Sequence, residues 1–154
     1  LVTIYEHFGS WKDRRITYVG DPNNVSQSLA DIAERLEIPF VISSPARPTM
    51  TYGHYIQDPI EAVKQASVIY TDTWTSMGET QNQEQLNQLK PYQINQTLVD
   101  AAAPQCIVLH CLPAYREQEI THEVIESSQS KVFDQAENRL HAQKAIMVWA
   151  LKKT

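Results

Sequence analysis

The sequence predicts an α/β fold, a doubly wound parallel sheet with helices on both faces, and three observations lead there. Short runs rich in Val, Ile and Tyr recur along the chain at RITYVG (15–20), PFVISS (39–44), SVIYTDTW (67–74) and CIVLHCLP (106–113). Segments with apolar residues at helical spacing lie between them, so the first pair forms a strand–turn–helix–strand unit, which implies parallel strands joined by a crossover helix. The alternation then runs over the whole length, as layered α/β domains require.

The elements follow in order. In LVTIYEHFG, Leu1, Ile4 and Phe8 share a helical face and Gly9 suits a C-cap. The segment lacks an N-cap ahead of its first apolar residue and reads as the end of a helix from a longer chain. RITYVG is followed by the turn DPNN (21–24) and by VSQSLADIAERLE (25–37), where Val25, Leu29, Ile32, Ala33 and Leu36 recur at helical spacing. After the strand PFVISS, DPIEAVKQA (58–66) predicts a short helix opened by Asp58 with Pro59 at its first position. SVIYTDTW is the third strand, and TSMGETQNQEQLNQLKPYQIN (75–95) is a polar loop running into a short helix. TLVDAAAP (97–104) is a helix ended by Pro104, and CIVLHCLP is the fourth strand. EITHEVIES (119–127) is helical, KVFDQAEN (131–138) includes a short strand, and RLHAQKAIMVWALKK (139–153) is a well-patterned terminal helix.

Bulk properties bound the function. A chain of 154 residues, 42% hydrophobic and 20% charged, suits one globular domain, here residues 1–154, with a sizeable core. A formal charge of −5 gives no electrostatic reason to expect nucleic acid or an anionic membrane surface as partner. No apolar run approaches the length of a membrane span. Cys106 and Cys111 are too few for a disulfide framework, and a reducing cytoplasm is their simplest home.

In doubly wound folds ligands bind beyond the carboxyl ends of the strands, at a switch point. That rule selects GDPNN, TDTWTSMG, HCLP and the region leading into QAENR. GDPNN has only Gly20 where a dinucleotide fingerprint needs three glycines, so nucleotide binding is rejected; the ordinary reading is a turn with Asn24 capping the helix. Asp72 suits a substrate ammonium group, although from pattern alone a turn or helix cap is the slightly favoured reading. His110–Cys111 admits three readings: nucleophile and base, half a metal site, or packing. A zinc site needs two more ligands at suitable spacing, which the other histidines do not supply, and a buried structural cysteine is the default. Arg139, near an expected helix start, would oppose the macrodipole unless an acid or ligand compensates.

Taken in order, GDPNN, TDTWTSMG, LHCLPAYR and DQAENRLHAQKA resemble the second half of the ornithine carbamoyltransferases, from TIYEHFG to the terminal helix. HCLP, with cysteine after the histidine, separates the ornithine type from the aspartate type, and SMG points to ornithine rather than putrescine. The resemblance implies a Rossmann-like ornithine-binding domain, with residues 1–9 the end of an interdomain helix. It implies that Asn24 and Asp72 hold the α-carboxylate and α-ammonium groups, with Ser76 and Met77 from a loop closing on the amino acid. Cys111 would lie beside the attacking amine, orienting it and helping to take its proton, while the Leu112 carbonyl and Arg139 would orient the carbamoyl group. His110 would support the turn. The implied reaction joins ornithine and carbamoyl phosphate into citrulline for arginine biosynthesis, with no cofactor or metal. The family's phosphate-binding motif of the Ser-x-Arg-Thr type and its His-Pro-x-Gln motif, which belong to or adjoin the N-terminal carbamoyl-phosphate domain, are absent, and that domain is expected to be missing here. The chain alone is therefore expected to be inactive and monomeric, and the full-length protein a homotrimer. Residues 43–55 form a shorter segment than in the family, through a deletion or through missing residues, and Pro22 stands where glycine is more usual. A different amine acceptor, or a non-catalytic amino-acid-binding module, is the alternative.

Overall fold

A computed structural model describes residues 1–50, 52–75 and 82–152. The elements are α1 (Val2–Phe8), β1 (Ile16–Val19), α2 (Asn24–Arg35), β2 (Phe40–Ser43), β3 (His54–Tyr55), α3 (Pro59–Val63), β4 (Val68–Thr71), α4 (Gln83–Leu89), a 3₁₀ turn (Lys90–Tyr92), α5 (Gln96–Asp100), β5 (Ile107–His110), α6 (His122–Ile125) and α7 (Val132–Leu151). Five strands form one sheet in the order β3-β2-β1-β4-β5, with every pairing parallel. Ile16 lies level with Phe40 on one side and Val68 on the other, and Val68 lies level with Ile107. The chain winds outward from β1 to β3, then returns to β4 on the other flank of β1. The switch point therefore falls between the carboxyl ends of β1 and β4.

Every residue of β1, β2, β4 and β5 is buried, because helices cover both faces. Successive side chains point to opposite faces, so Ile16 and Tyr18 join one core with Ile4, Ala30, Ala33 and Phe40. Val19 and Ile69 join the other, with Val63, Leu98, Val108 and Val124. The doubly wound α/β expectation holds. Local chemistry places the element ends as expected in two cases. Gly9, at φ 72°, closes α1 with its N–H on the Tyr5 carbonyl, and Asp58 accepts the Ile60 and Glu61 N–H groups ahead of Pro59.

Several expectations need correction. The cap of α2 is Asn23, not Asn24: Asn23 Oδ1 accepts the Val25 and Ser26 N–H groups, and the Ser26 hydroxyl accepts the Asn23 N–H. No strand forms within 131–138: the one bridge nearby, Val108 to Ser130, precedes that segment, and Val132 already starts α7. Arg139 therefore lies two turns inside a helix, where the macrodipole no longer acts, and the charge argument at that position lapses. α5 ends at Asp100, before Pro104, and a two-residue strand, β3, lies beyond β2. Among the described residues no helix is long and apolar enough to cross a membrane.

The terminal helix does not have one apolar stripe. Leu140, Ile146, Met147, Val148 and Trp149 project in different directions and are all more than half exposed.

Candidate functional site

The loops after β1, β4 and β5 meet at a cavity of about 320 Å³ lined by Asn23, Asn24, Asp72, Cys111, Leu112 and Tyr115, with Thr73, Thr75 and Pro113. Asp72 is its centre. It follows β4, is 8% exposed, and its carboxyl oxygens are held by three donors. Oδ1 accepts the Cys111 thiol at 2.7 Å and the Thr73 N–H at 2.8 Å, while Oδ2 accepts Asn23 Nδ2 at 2.9 Å. Asn23 thus caps α2 with its oxygen and orients Asp72 with its nitrogen. Asn24, freed from capping, is exposed at the cavity wall.

The thiol of Cys111 is pushed up to about 12, mainly by burial and then by its hydrogen bond to Asp72 and by the charge there; Arg139 pulls weakly the other way. At neutral pH the group is a thiol, a donor rather than a nucleophile, because the thiolate is the nucleophilic form. Cys106 is also pushed up to about 12 by burial and belongs to the core.

His110 is buried at the end of β5. Its Nδ1 accepts the Leu112 N–H at 2.9 Å, so the ring proton sits on Nε2, which donates to Glu119 Oε1 at 3.0 Å. The same Glu119 oxygen accepts the Tyr115 N–H at 2.6 Å. The imidazole therefore pins the Leu112 peptide from behind. Leu112 itself sits at φ 53°, in the left-handed region, a conformation the surrounding bonds must hold. Donor atoms of Asp72, His110 and Cys111 lie within 4.8 Å of one another. Both imidazole nitrogens are already engaged, so this trio offers no free imidazole to a cation.

Of the residues singled out from sequence, Asn24, Asp72, Cys111 and Leu112 converge on one cavity. Arg139 does not line it. It lies exposed on α7 with no hydrogen bond or ion pair among the described residues, yet its charge reaches Cys111 and Tyr70. Ser76 and Met77 lie outside the described residues. Sequence reasoning missed Asn23, Tyr115 and Glu119. Asn23 carried a signal, since the NN pair offers two equal caps; Glu119 carried none, being expected within a helix over 119–127, whereas it stands in the turn before α6 with its partner, His110, across the loop.

Comparison with known proteins agrees with this fold. Residues 12–150 match the family model described as aspartate/ornithine carbamoyltransferase, Asp/Orn binding domain. The chain is 46% identical to the ornithine carbamoyltransferase of Synechococcus sp., covering 98% of the chain and 55% of that protein. It is 45% identical to that of Archaeoglobus fulgidus, covering 99% and 54%. It thus spans about half the length of the curated relatives it matches. The Synechococcus alignment runs over 167 positions, more than the 154 residues present, so that relative carries residues with no counterpart here. The ornithine carbamoyltransferase structure from Pyrococcus furiosus superposes with a TM-score of 0.87 at 41% identity, over 94% of this chain and 52% of that one. With sequence and fold in agreement, the chain belongs to the aspartate/ornithine carbamoyltransferase family, matching its Asp/Orn-binding domain.

Proposed function

We propose that this chain is the L-ornithine-binding half of a carbamoyltransferase that makes citrulline and phosphate from ornithine and carbamoyl phosphate, in arginine biosynthesis. The observation that carries the reading is Asp72, a buried carboxyl fixed at the switch point beside Cys111 and open to a cavity of amino-acid size. The relatives' names supply the substrate class. Asn24 receives the α-carboxylate and Asp72 the α-ammonium, a partly desolvated ion pair that offsets the cost of burying each charge. Ser76 and Met77 complete that end of the site.

The neutral δ-amine attacks the carbamoyl carbon, a tetrahedral species forms, and the carbon–oxygen bond to phosphate breaks with its electron pair leaving on phosphate. The amine's proton passes to Asp72, directly or across the Cys111 sulfur as the thiol proton moves onto Oδ1. Cys111 acts by orienting the amine, because a thiol held protonated is not a covalent nucleophile. The Leu112 carbonyl, one peptide beyond the N–H that His110 holds, accepts from the carbamoyl amide. Arg139 stabilises the oxyanion, and positioning of both reactants supplies much of the remaining acceleration. Holding the phosphate falls to the part of the protein outside this chain. The chain alone is inactive and binds ornithine weakly, while the full-length protein is a cytoplasmic homotrimer.

The test is turnover by the full-length protein across an acceptor panel of ornithine, putrescine, acylated ornithine and aspartate. Citrulline from ornithine alone supports the reading. No turnover with saturating ornithine and carbamoyl phosphate sinks it.

A further inference from the structure

We propose that Gln135 is a positioning residue for the transfer reaction, its side-chain amide locking the face of α7 that carries Arg139 onto the ends of β4 and β5. The role assigned to Arg139 rests on the reading above; the clamp itself rests on geometry. β5 is an edge strand, so its outer N–H groups need partners. Val108 finds them in the backbone: its N–H donates to the Gln129 carbonyl, and its carbonyl accepts the Lys131 N–H. The chain then turns into α7, and no strand continues to serve the next outward N–H, that of His110. Gln135 replaces the missing strand, its Oε1 accepting the His110 N–H at 3.1 Å.

The other end of the amide reaches the neighbouring strand. Gln135 Nε2 donates to the Tyr70 hydroxyl at 2.9 Å, and Tyr70 is buried in β4 with its ring stacked on Tyr18. One side chain thus bridges the residue directly before Cys111 and the residue two before Asp72. A helix turn later on the same face comes Arg139, since residues four apart are neighbours on a helix surface. On the adjacent ridge, Val132 and Asn138 are buried, and Asn138 Nδ2 donates to Thr3 and Glu6 of α1. Asn138 ties α7 to α1, whereas Gln135 hydrogen-bonds it to the two strands that carry the reacting groups. The arrangement fixes how far along and around its axis α7 sits, and so where the guanidinium lies. That the charge of Arg139 is felt at both Cys111 and Tyr70 fits this placement.

The experiment uses the full-length protein with Gln135→Leu, Gln135→Glu, Arg139→Gln and the double variant Gln135→Leu/Arg139→Gln. Leu keeps the volume and removes both bonds. Glu keeps both, because one oxygen still accepts the His110 N–H and the other accepts from Tyr70, whose hydroxyl turns from acceptor to donor. For Gln135→Leu, kcat falls by roughly 10-fold or more while KM for ornithine stays within about 3-fold, the pattern of a misplaced oxyanion group. Gln135→Glu returns kcat to within about 3-fold of the parent, a rescue that packing alone does not explain. A kcat within about 2-fold for Gln135→Leu, or a folded Gln135→Glu without recovery, overturns the proposal.

A second arm needs no turnover. Alkylation of Cys111 by iodoacetamide at about pH 9, followed by peptide mass mapping, slows in Arg139→Gln because a nearby cation favouring the thiolate is gone. Gln135→Leu slows it too, and the double variant is no slower than Arg139→Gln, since both changes remove one effect. Slowing that multiplies in the double variant overturns the clamp. If the parent makes no citrulline, the substrate reading fails while this arm still decides the role of Gln135.

Discussion

Glu119→Ala tests the support behind the Leu112 turn. The Glu119 and His110 side chains are both fully buried, and Glu119 Oε1 alone accepts the His110 Nε2 proton and the Tyr115 N–H. Truncation leaves the imidazole donor without a partner or water, at about 1–3 kcal/mol. The Tyr115 amide, nearer the surface, is partly rescued by solvent and adds about 1 kcal/mol, and the lost packing around a buried side chain brings the sum to about 3–5 kcal/mol. For a domain of this size that lowers the melting temperature by roughly 6–20 °C. Glu119→Gln falls between, because it keeps Oε1 but sets an NH₂ where Oε2 is buried without a partner among the described residues, at about 1–3 kcal/mol. Urea denaturation of the full-length protein, followed by circular dichroism, reads both. Because His110 then releases the Leu112 N–H, kcat falls as well. A Glu119→Ala protein within about 1 kcal/mol of the parent would refute the reasoning.

Two further outcomes follow from the site. Asn23→Ala loses the cap and the Asp72 contact and costs about 1–2 kcal/mol, whereas Asn24→Ala costs under about 0.5 kcal/mol and instead raises KM for ornithine. Thermal melts beside steady-state kinetics separate the two, and equal stability losses would contradict the assignment of Asn23 as cap. Cys106 and Cys111 are both raised from 9.0 to about 12, so the folded chain keeps protons that the unfolded chain releases. Their contribution is fully present below about pH 9 and is lost as pH rises towards about 12. The urea midpoint therefore falls over that window, less steeply in Cys106→Ala; identical slopes would show that the buried thiol is not involved.

The sheet was legible because its strands are continuous apolar runs, a pattern that tertiary contact reinforces rather than overrides. ITYV, FVIS, VIYT and IVLH all fall within the expected segments. The switch-point rule then placed Asp72 and Cys111 together although they lie far apart in sequence. Other features depended on partners that local pattern does not encode. KVF has strand propensity, but only Ser130 finds an edge to pair with, and the helix-forming residues from Gln135 to Glu137 carry α7 back to Val132. Asn23 and Asn24 are equal candidates for a cap, and which one turns inward depends on Asp72 across the sheet. Gln135 and Glu119 look like solvated loop or helix residues until the sheet edge and His110 are placed against them.

The central claim is that the switch-point cavity holds the amino acid through Asp72. L-Norvaline tests it most directly, because it keeps ornithine's α-carboxylate, α-ammonium and carbon chain but has no δ-amine to react. Its binding is measured by calorimetry on the full-length protein with carbamoyl phosphate present, for the parent and for Asp72→Asn. Losing a charge-assisted contact in a buried site predicts binding about 10-fold to 100-fold weaker in Asp72→Asn, with the fold unchanged by circular dichroism. Equal affinity in the two proteins, within about 2-fold, would place the amino acid somewhere other than at Asp72 and contradict the account.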